Sequence, residues 1–265
     1  MKIAVTGKGG VGKTTLSSVM SYLYAKEGKK VIAVDADPDA NLATALGFSD
    51  TEIEGMRPIA EMAELIAERT GARPGAMGGV FKLNPKVDDI PEGCSRTTVD
   101  GIKLLIMGKS KEASSGCYCP ENVFLKRLLK HLVVERDDVV IVDMEAGIEH
   151  LTRGTAEGVD AFVVVVEPGK RSIQTAISVR DMAKQLGVSH VYVVAGKVRN
   201  DSDIEFIKKN IEGMELIGSV RFTEEISNAD MQGAAVFKAA PSALKDIAAI
   251  KNTLDGKVSG GQEAA

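Results

Sequence analysis

Short apolar runs alternate with longer segments of mixed polarity along most of the chain. The runs are rich in valine and isoleucine and are apolar at successive positions, which is typical of strands covered on both faces. Seven runs predict strands: KIAVT, KVIAVD, IKLLIMG, VVIVDM, AFVVVVE, HVYVVAG and ELIGSV. Their alternation with helical segments predicts an α/β fold, with a doubly wound, mostly parallel sheet flanked by helices.

The segments between these runs have apolar residues at helical spacing and predict amphipathic helices. The predicted helices are TTLSSVMSYLYAKEG, PENVFLKRLLKHLVVER, SIQTAISVRDMAKQLG, DIEFIKKN and PSALKDIAAIKNTL. Residues 71–101 lack a clear period, so we predict an irregular insertion there that is functional or faces a partner. The small, polar end of the sequence predicts a flexible tail at about 256–265. Residues 1–265 are expected to form a single domain.

Composition narrows the functional classes. A net charge of −4 provides no general nucleic-acid surface, and no apolar stretch approaches the roughly 20 residues of a membrane span. We therefore expect neither nucleic acid nor membrane as a partner. Three cysteines do not form a disulfide framework, which predicts a reducing, cytoplasmic compartment where thiols are free to act as ligands.

A phosphate-binding pattern follows the first predicted strand. The spacing Gly7-x-x-x-x-Gly12-Lys13-Thr14 lies between a strand and a helix, which is the context that a P-loop requires and a plain glycine-rich turn does not. Lys13 is expected to reach the outer phosphates of ATP or ADP, and the Thr14 hydroxyl to ligate Mg²⁺. The predicted nucleotide-binding residues of this loop are Gly7, Lys8, Gly9, Gly10, Val11, Gly12, Lys13, Thr14 and Thr15.

The additional lysine, Lys8, makes the motif more specific. The stretch KGGVGKTT resembles the deviant Walker A motif of the SIMIBI class of ATPases, which includes nitrogenase iron protein, MinD, ParA and metal-insertion ATPases. The resemblance implies a homodimer in which Lys8 reaches across the interface to the nucleotide of the other subunit, as an arginine finger does. A solvated surface lysine is the alternative.

Acidic residues follow the second predicted strand in VDADPDAN. By similarity, Asp37 is the switch I carboxylate that positions or deprotonates the attacking water, and it joins Lys8 and Lys13 as a predicted catalytic residue. Asp35, nearer the strand, is expected to support Mg²⁺ or the loop. Asp39 and Asn41 are expected to form a turn or a helix cap.

The stretch VVIVDMEAG ends another buried strand at Asp143, where a carboxylate can hold a Mg²⁺-bound water. Gly147 can let the backbone follow the γ-phosphate, so DMEAGIEHLTRG is the predicted switch II. The adenine base is expected near VVEPGKRS and VVAGKVRN, with Pro168, Lys197 and Asn200 as candidate contacts. Gly196 departs from the asparagine that often precedes the lysine in this class.

Cys117 and Cys119 form a C-x-C pair. They are either structural residues, a redox dithiol, for which C-x-x-C is the usual spacing, or metal ligands, and the spacing favours metal ligands. Two thiolates cannot complete the four-coordinate site that Zn²⁺ prefers, but two chains related by a two-fold axis would supply four sulfurs. Ligand softness does not distinguish Ni²⁺ from Zn²⁺ here.

Five stretches together resemble the CooC-type CO dehydrogenase maturation ATPases: GKGGVGKTT, DADPDAN, KLNPKVDDIP, MGK…GCYCPEN and DMEAGIEHLTRGT. The resemblance implies ATP-dependent nickel insertion into CO dehydrogenase or acetyl-CoA synthase, with ATP and metal both acting on the homodimer. It carries functional roles over to the P-loop residues with Lys8, Asp37, Asp143, Cys117 and Cys119.

Two other functions are compatible with the P-loop. An iron–sulfur reductase like nitrogenase iron protein would use two well-separated cysteines, and Cys94 with one of the pair could imitate that arrangement. A positioning ATPase of the MinD or ParA type would bind membrane or DNA, but the net charge and the polar tail argue against both partners.

His150 lies in the predicted switch II and is either a transient metal relay or an ordinary switch residue.

Overall fold

The computed structural model describes residues 1–37, 39–74, 80–108, 120–145, 153–156, 158–188 and 190–262. Within these ranges eight strands form one sheet, in the order β3-β4-β2-β5-β1-β6-β7-β8. The strands are β1 (Lys2–Thr6), β2 (Val31–Ala36), β3 (Arg96–Thr97), β4 (Lys103–Ile106), β5 (Val139–Met144), β6 (Ala161–Val166), β7 (Val191–Val198) and β8 (Glu215–Arg221). All pairings are parallel except that of β3 with β4. The predicted doubly wound α/β fold is confirmed.

The helices connect these strands and cover both faces of the sheet. They are α1 (Lys13–Lys26), α2 (Leu42–Ala45), α3 (Asp50–Glu54), α4 (Ala63–Thr70), α5 (Ile90–Gly93), α6 (Pro120–Lys130), α7 (Arg153–Ala156), α8 (Lys170–Gln185), α9 (Asp201–Asn210), α10 (Glu224–Met231), α11 (Val236–Ala239) and α12 (Pro241–Gln262). A 3₁₀ turn spans Ile59–Glu61, and a π-helical turn at His131–Glu135 continues α6.

Two hydrophobic clusters lie on opposite faces of the sheet. Ile3 and Val5 pack in one cluster with α1 and α12, whereas Ala4 between them packs in the other with α6 and α8. Every residue of β1 is buried. This two-sided burial is the physical reason that the predicted strands are apolar at successive positions.

Three details differ from the sequence-based expectations. The short antiparallel strand β3 was not predicted, because its two residues are both exposed and carry no apolar signal. The segment 71–101 is not wholly irregular, since it contains β3 and α5, and its Val87 and Ile90 are buried in the second cluster.

The predicted flexible tail is the third difference, because α12 continues through Gln262. Val258 packs against the first cluster, and the Lys257 ammonium lies 2.7 Å from the Glu215 carboxylate on β8. These contacts favour the helix even though the segment contains glycines. Among the described residues, no helix combines the length and apolar character needed to cross a membrane.

Candidate functional site

The P-loop connects β1 to α1 at the carboxyl ends of the parallel strands, where α/β sheets bind ligands. Gly7, Gly10 and Gly12 have φ angles of 143°, 78° and 101°, a region that favours glycine. At Gly7 a Cβ atom would lie 2.4 Å from the Val165 carbonyl oxygen on β6, so this residue must also be small. These conformations let the loop turn its backbone N–H groups toward a phosphate at the start of α1.

Lys13 and Asp37 meet at this site. The Lys13 Nζ atom lies 3.5 Å from Asp37 Oδ2, and the two side chains are only 6% and 17% exposed. The other carboxylate oxygen of Asp37 accepts a hydrogen bond from the Asp39 backbone N–H at 3.1 Å. The predicted switch I carboxylate thus lies beside the P-loop lysine, although the two residues belong to different strand–loop units.

Asp35 supports the loop, which is one of the two roles expected for it. Its Oδ1 accepts the Asp37 backbone N–H at 3.2 Å and its Oδ2 accepts the Leu42 N–H at 2.9 Å, so it fixes both ends of the turn. Asp39 lies in this turn and contributes its backbone N–H, while among the described residues the side-chain acceptors are Asp35 and Asp37. Asn41 precedes α2 at the cap position but makes no side-chain cap hydrogen bond.

Asp143 lies at the end of β5 and is 1% exposed. Neither of its carboxylate oxygens has a hydrogen-bond partner among the residues that the structure describes. Burial raises its pKa to about 6, and the nearby Thr14 hydroxyl and Lys13 ammonium oppose this shift. Buried, unpartnered carboxylate oxygens beside a threonine hydroxyl fit a hydrated Mg²⁺, which prefers oxygen ligands and retains water.

Lys8 lies on the rim of the site. Its Nζ atom is 3.4 Å from Oε1 of Glu167, the residue that follows β6, and the two side chains are 40% and 32% exposed. Glu167 was not among the predicted site residues. No sequence signal indicates it, because the two residues are 159 positions apart.

A largely apolar cavity of about 90 Å³ lies behind the P-loop, between the ends of β6, β7 and β8 and the start of α10. Lys197 lines it with a left-handed φ of 54°, together with Val11 and Thr15 of the P-loop. Its apolar lining with few polar groups is typical of a small-molecule site. Phe222 and Thr223 line the opposite wall and were missed, since only the helix cap of Thr223 marks them in the sequence.

Two predicted base contacts lie elsewhere. Pro168 is not among the residues that line the cavity, and neither is Asn200. The Asn200 side chain instead caps α9, where its Oδ1 accepts the Asp203 backbone N–H at 3.1 Å. Gly196 does line the cavity, and a Cβ atom there would lie 2.5 Å from the Val11 carbonyl oxygen. Close packing against the P-loop explains the absence of a side chain at this position.

The predicted metal ligands Cys117 and Cys119 lie outside the described residues, as do Gly147 and His150. Within the described ranges, no group of three or more His, Cys, Asp or Glu residues could hold a metal ion. Cys94 is half-buried, and burial raises the pKa of its thiol. The structure thus brings the P-loop, Asp37 and Asp143 together and leaves the C-x-C prediction open.

Comparisons with known proteins agree with this geometry. Residues 2–236 match the family described as CobQ/CobB/MinD/ParA nucleotide binding domain. The carbon monoxide dehydrogenase accessory protein CooC of Rhodospirillum rubrum is 46% identical over 91% of this chain and 91% of its own length. An ATP-binding protein of Methanocaldococcus jannaschii is 45% identical over 88% of this chain and 90% of its length.

Solved structures share the fold at lower identity. The MinC:MinD cell division complex of Aquifex aeolicus has a TM-score of 0.69 at 20% identity, covering 97% of this chain and 96% of the matched chain. MinD of Pyrococcus horikoshii, complexed with Mg-ADP, has a TM-score of 0.66 at 18% identity, covering 96% of both chains. The chain is a P-loop ATPase that belongs to the CobQ/CobB/MinD/ParA family and, within it, to the group of CooC-type proteins.

Proposed function

We propose that this ATPase is a metallochaperone that dimerises with ATP and metal and assists nickel insertion into CO dehydrogenase or acetyl-CoA synthase. The observation that carries the proposal is the 46% identity to the CO dehydrogenase accessory protein across 91% of both chains. The C-x-C pair, Cys117 and Cys119, supplies the chemistry that this role needs. The cytoplasmic location expected from the free thiols remains part of the proposal.

The nucleotide site is proposed to work through a change of partner by Lys13. In the structure the Lys13 ammonium is paired with Asp37 at 3.5 Å. The outer phosphates of ATP carry more negative charge than one carboxylate and would draw Lys13 away from Asp37. Asp37 is then free to accept a hydrogen bond from the attacking water, so that phosphate binding itself prepares the catalytic carboxylate.

We propose that Thr14 and Asp143 hold a hydrated Mg²⁺ beside the phosphates. The Thr14 hydroxyl would ligate the ion, and Asp143 would hold one of its water ligands. When bound, Mg²⁺ neutralises charge on the phosphate oxygens. The same positive charge would stabilise the ionised form of Asp143, whose pKa burial raises to about 6.

The adenine base is proposed to occupy the apolar cavity behind the P-loop. Lys197, Thr15 and Val11 of the P-loop all line this cavity. A planar base with a polar edge suits a site of apolar walls and few polar groups. Pro168 and Asn200 remain predicted contacts only if the nucleotide extends beyond these walls.

Dimerisation is proposed to complete two sites at once. Lys8 would act on the nucleotide of the other subunit, and each chain would supply two of four thiolates to one Ni²⁺ or Zn²⁺. Coupling requires that the metal bind with different affinity in the ATP and ADP states, since otherwise nucleotide could not shift the metal equilibrium. Hydrolysis would then weaken metal binding or change docking to the client enzyme.

Metal titration tests the central step. Wild type and Cys117→Ser/Cys119→Ser protein would each be titrated with Ni²⁺ and with Zn²⁺ under reducing conditions, with Cys94→Ser as the matched thiol control. We expect one ion per two chains for wild type and Cys94→Ser, and loss of this stoichiometry in the double variant. Full metal binding by the double variant would refute the C-x-C assignment.

Light scattering on protein prepared without metal distinguishes dimerisation driven by ATP from dimerisation driven by metal. Samples with no ligand, with Mg-ATP and with Ni²⁺ would show which ligand pairs the subunits. A protein that stays monomeric in all three samples would contradict the dimer, whatever its metal affinity. A brown colour with a visible absorption band after anaerobic iron–sulfur reconstitution would favour the reductase alternative.

A further inference from the structure

The backbone ladder between β1 and β6 fixes the position of Lys8. In this parallel pair Val5 is the Cα partner of Val163 and Thr6 is that of Val164. Beyond the strands, the same alignment brings Gly7 so close to Val165 that no Cβ atom would fit between them. Lys8 therefore follows a constrained backbone and lies beside the residues that leave the end of β6.

Glu167 is held in place by a hydrogen bond to the helix that follows it. Its backbone N–H donates to the hydroxyl of Ser172 on α8 at 3.1 Å, and Ser172 is 2% exposed. The carboxylate then faces the P-loop, where Oε1 lies 3.4 Å from the Lys8 ammonium. Among the described residues Lys8 has no second carboxylate within ion-pair distance. The pair thus joins two elements whose backbones are both anchored.

We propose that Glu167 is a positioning residue that holds Lys8 on its own subunit and competes with the nucleotide of the partner subunit for this lysine. The inference rests on the proposed trans role of Lys8. A lysine paired within its own chain must leave that carboxylate before it can reach a phosphate across an interface. Glu167 would therefore oppose closure of the ATP-bound dimer and keep hydrolysis low at low protein concentration.

The size of the effect follows from the exposure of the pair and the symmetry of the dimer. An exposed ion pair changes an equilibrium by about 1.4-fold to 5-fold. Closure of a two-fold dimer breaks two such pairs, so we expect their removal to raise the ATP-dependent dimerisation constant by about twofold to thirtyfold. The effect should decrease with added salt, because solvent ions screen partly exposed charges.

Glu167→Gln tests the proposal. ATPase activity per chain would be measured against protein concentration with saturating Mg-ATP, alongside light scattering. We expect half-maximal activity and half-dimerisation at a protein concentration about twofold to thirtyfold lower than in wild type, with an unchanged plateau. Glu167→Asp, with a shorter side chain and the same charge, should lie between the two.

Glu215→Gln is the matched control, because it removes the same negative charge from another ion pair. This pair joins Glu215 on β8 to the Lys257 ammonium at 2.7 Å. It should leave the concentration profile unchanged. A Glu167→Gln profile that matches wild type, shifts to higher concentration or has a lower plateau would overturn the proposal. A reduced plateau would assign Glu167 a supporting role instead.

Lys8→Ala distinguishes failure of this inference from failure of the proposed function. If Lys8→Ala keeps full activity at every protein concentration, the trans role of Lys8 is wrong and the restraint by Glu167 has no basis. If Lys8→Ala loses the concentration-dependent activity while Glu167→Gln behaves as wild type, the trans role stands and the inference about Glu167 alone is wrong. Both variants would be checked for a wild-type unfolding midpoint.

Discussion

Asp35 and Asp143 are Cα partners in register on the adjacent strands β2 and β5. Both carboxyls are buried, at 0% and 1% exposure. Burial raises the pKa of Asp35 to about 7 and that of Asp143 to about 6, and the charge of Asp143 contributes to the shift of Asp35. Burial therefore favours the protonated forms of these carboxyls, whereas a bound cation would stabilise the ionised forms.

The first prediction concerns stability against pH without nucleotide or Mg²⁺. Both carboxyls have folded pKa values above their ordinary 3.8, so between about pH 4 and pH 7 the folded chain binds protons that the unfolded chain has released. The free energy of unfolding should therefore fall as pH rises through this window, by at most about 1.4 kcal/mol per pH unit for each group. It should level off above about pH 7.

Urea unfolding at half-unit steps from pH 5 to pH 8 measures this trend. Glu135 is shifted in the opposite direction, since hydrogen bonds from Arg127 and His131 lower its pKa to about 2. Its contribution to stability is lost only below pH 5 and does not affect this measurement. A free energy of unfolding that stays constant or rises between pH 5 and pH 7 would contradict the prediction.

The second prediction is that Asp143→Asn stabilises the nucleotide-free protein and impairs the enzyme. The substitution removes a buried charge that lacks a hydrogen-bond partner among the described residues, so stability at pH 8 should rise by about 1–3 kcal/mol. Loss of the carboxylate that orients Mg²⁺-bound water should weaken the Mg²⁺ dependence of ATP hydrolysis by about 10-fold to 100-fold.

Mg²⁺ titration of ATPase activity and urea unfolding check the two halves of this prediction. Asp39→Asn is the control, since Asp39 is exposed and its own backbone N–H, not its side chain, joins the turn. It should change neither quantity. An Asp143→Asn protein with wild-type Mg²⁺ dependence would remove Asp143 from the magnesium site.

Much of the site could be predicted from sequence because its parts are contiguous or lie at strand ends. The P-loop is one short stretch. Asp37 follows β2 and Asp143 lies at the end of β5, and the carboxyl ends of these adjacent parallel strands meet at one edge. The contact between Lys8 and Glu167 could not be predicted, since it depends on the β1–β6 register. Asn200 is a candidate base contact because Gly196 replaces the usual asparagine. A polar residue after a strand can equally cap the next helix, as Asn200 does, and sequence does not separate these roles.

The third prediction concerns Gly196, whose packing role is also not visible in the sequence. The sequence shows only that Gly196 replaces the asparagine usual in this class, whereas in the structure a Cβ there would lie 2.5 Å from the Val11 carbonyl oxygen and 3.1 Å from Val165 Cγ1. Gly196→Ala should therefore displace the P-loop backbone. We expect a loss of stability of about 1–3 kcal/mol, typical of overpacking, together with a higher KM for ATP.

Thermal unfolding and ATPase kinetics measure these effects, with Gly93→Ala as the control. A Cβ at Gly93 would meet no atom within 4 Å, and its φ is not in the left-handed region. The control should behave as wild type in both assays. If Gly196→Ala keeps the wild-type KM, the contact between β7 and the P-loop does not shape the nucleotide site.

The fourth prediction concerns the buried lysine that joins the last helix to α1. Lys251 is 3% exposed, and its Nζ donates to Glu27 at 2.7 Å and to Asp255 at 2.8 Å, above the ring of Tyr24. Burial opposes the charge, but these hydrogen bonds outweigh it and raise the pKa of Lys251. Lys251→Met should lower the free energy of unfolding by about 1–3 kcal/mol, less than for a fully buried pair because Glu27 remains half-exposed to water.

The nucleotide site lies at the other end of α1, so the KM for ATP of folded Lys251→Met protein should be unchanged. Lys257→Met removes a neighbouring, more exposed lysine of α12 that pairs with Glu215 at 2.7 Å, and it should cost less stability. Urea midpoints of the two variants give the comparison. Equal losses would show that α12 is attached by surface ion pairs in general, whereas a larger loss for Lys251→Met would assign the attachment to the buried network with Tyr24 and Asp255.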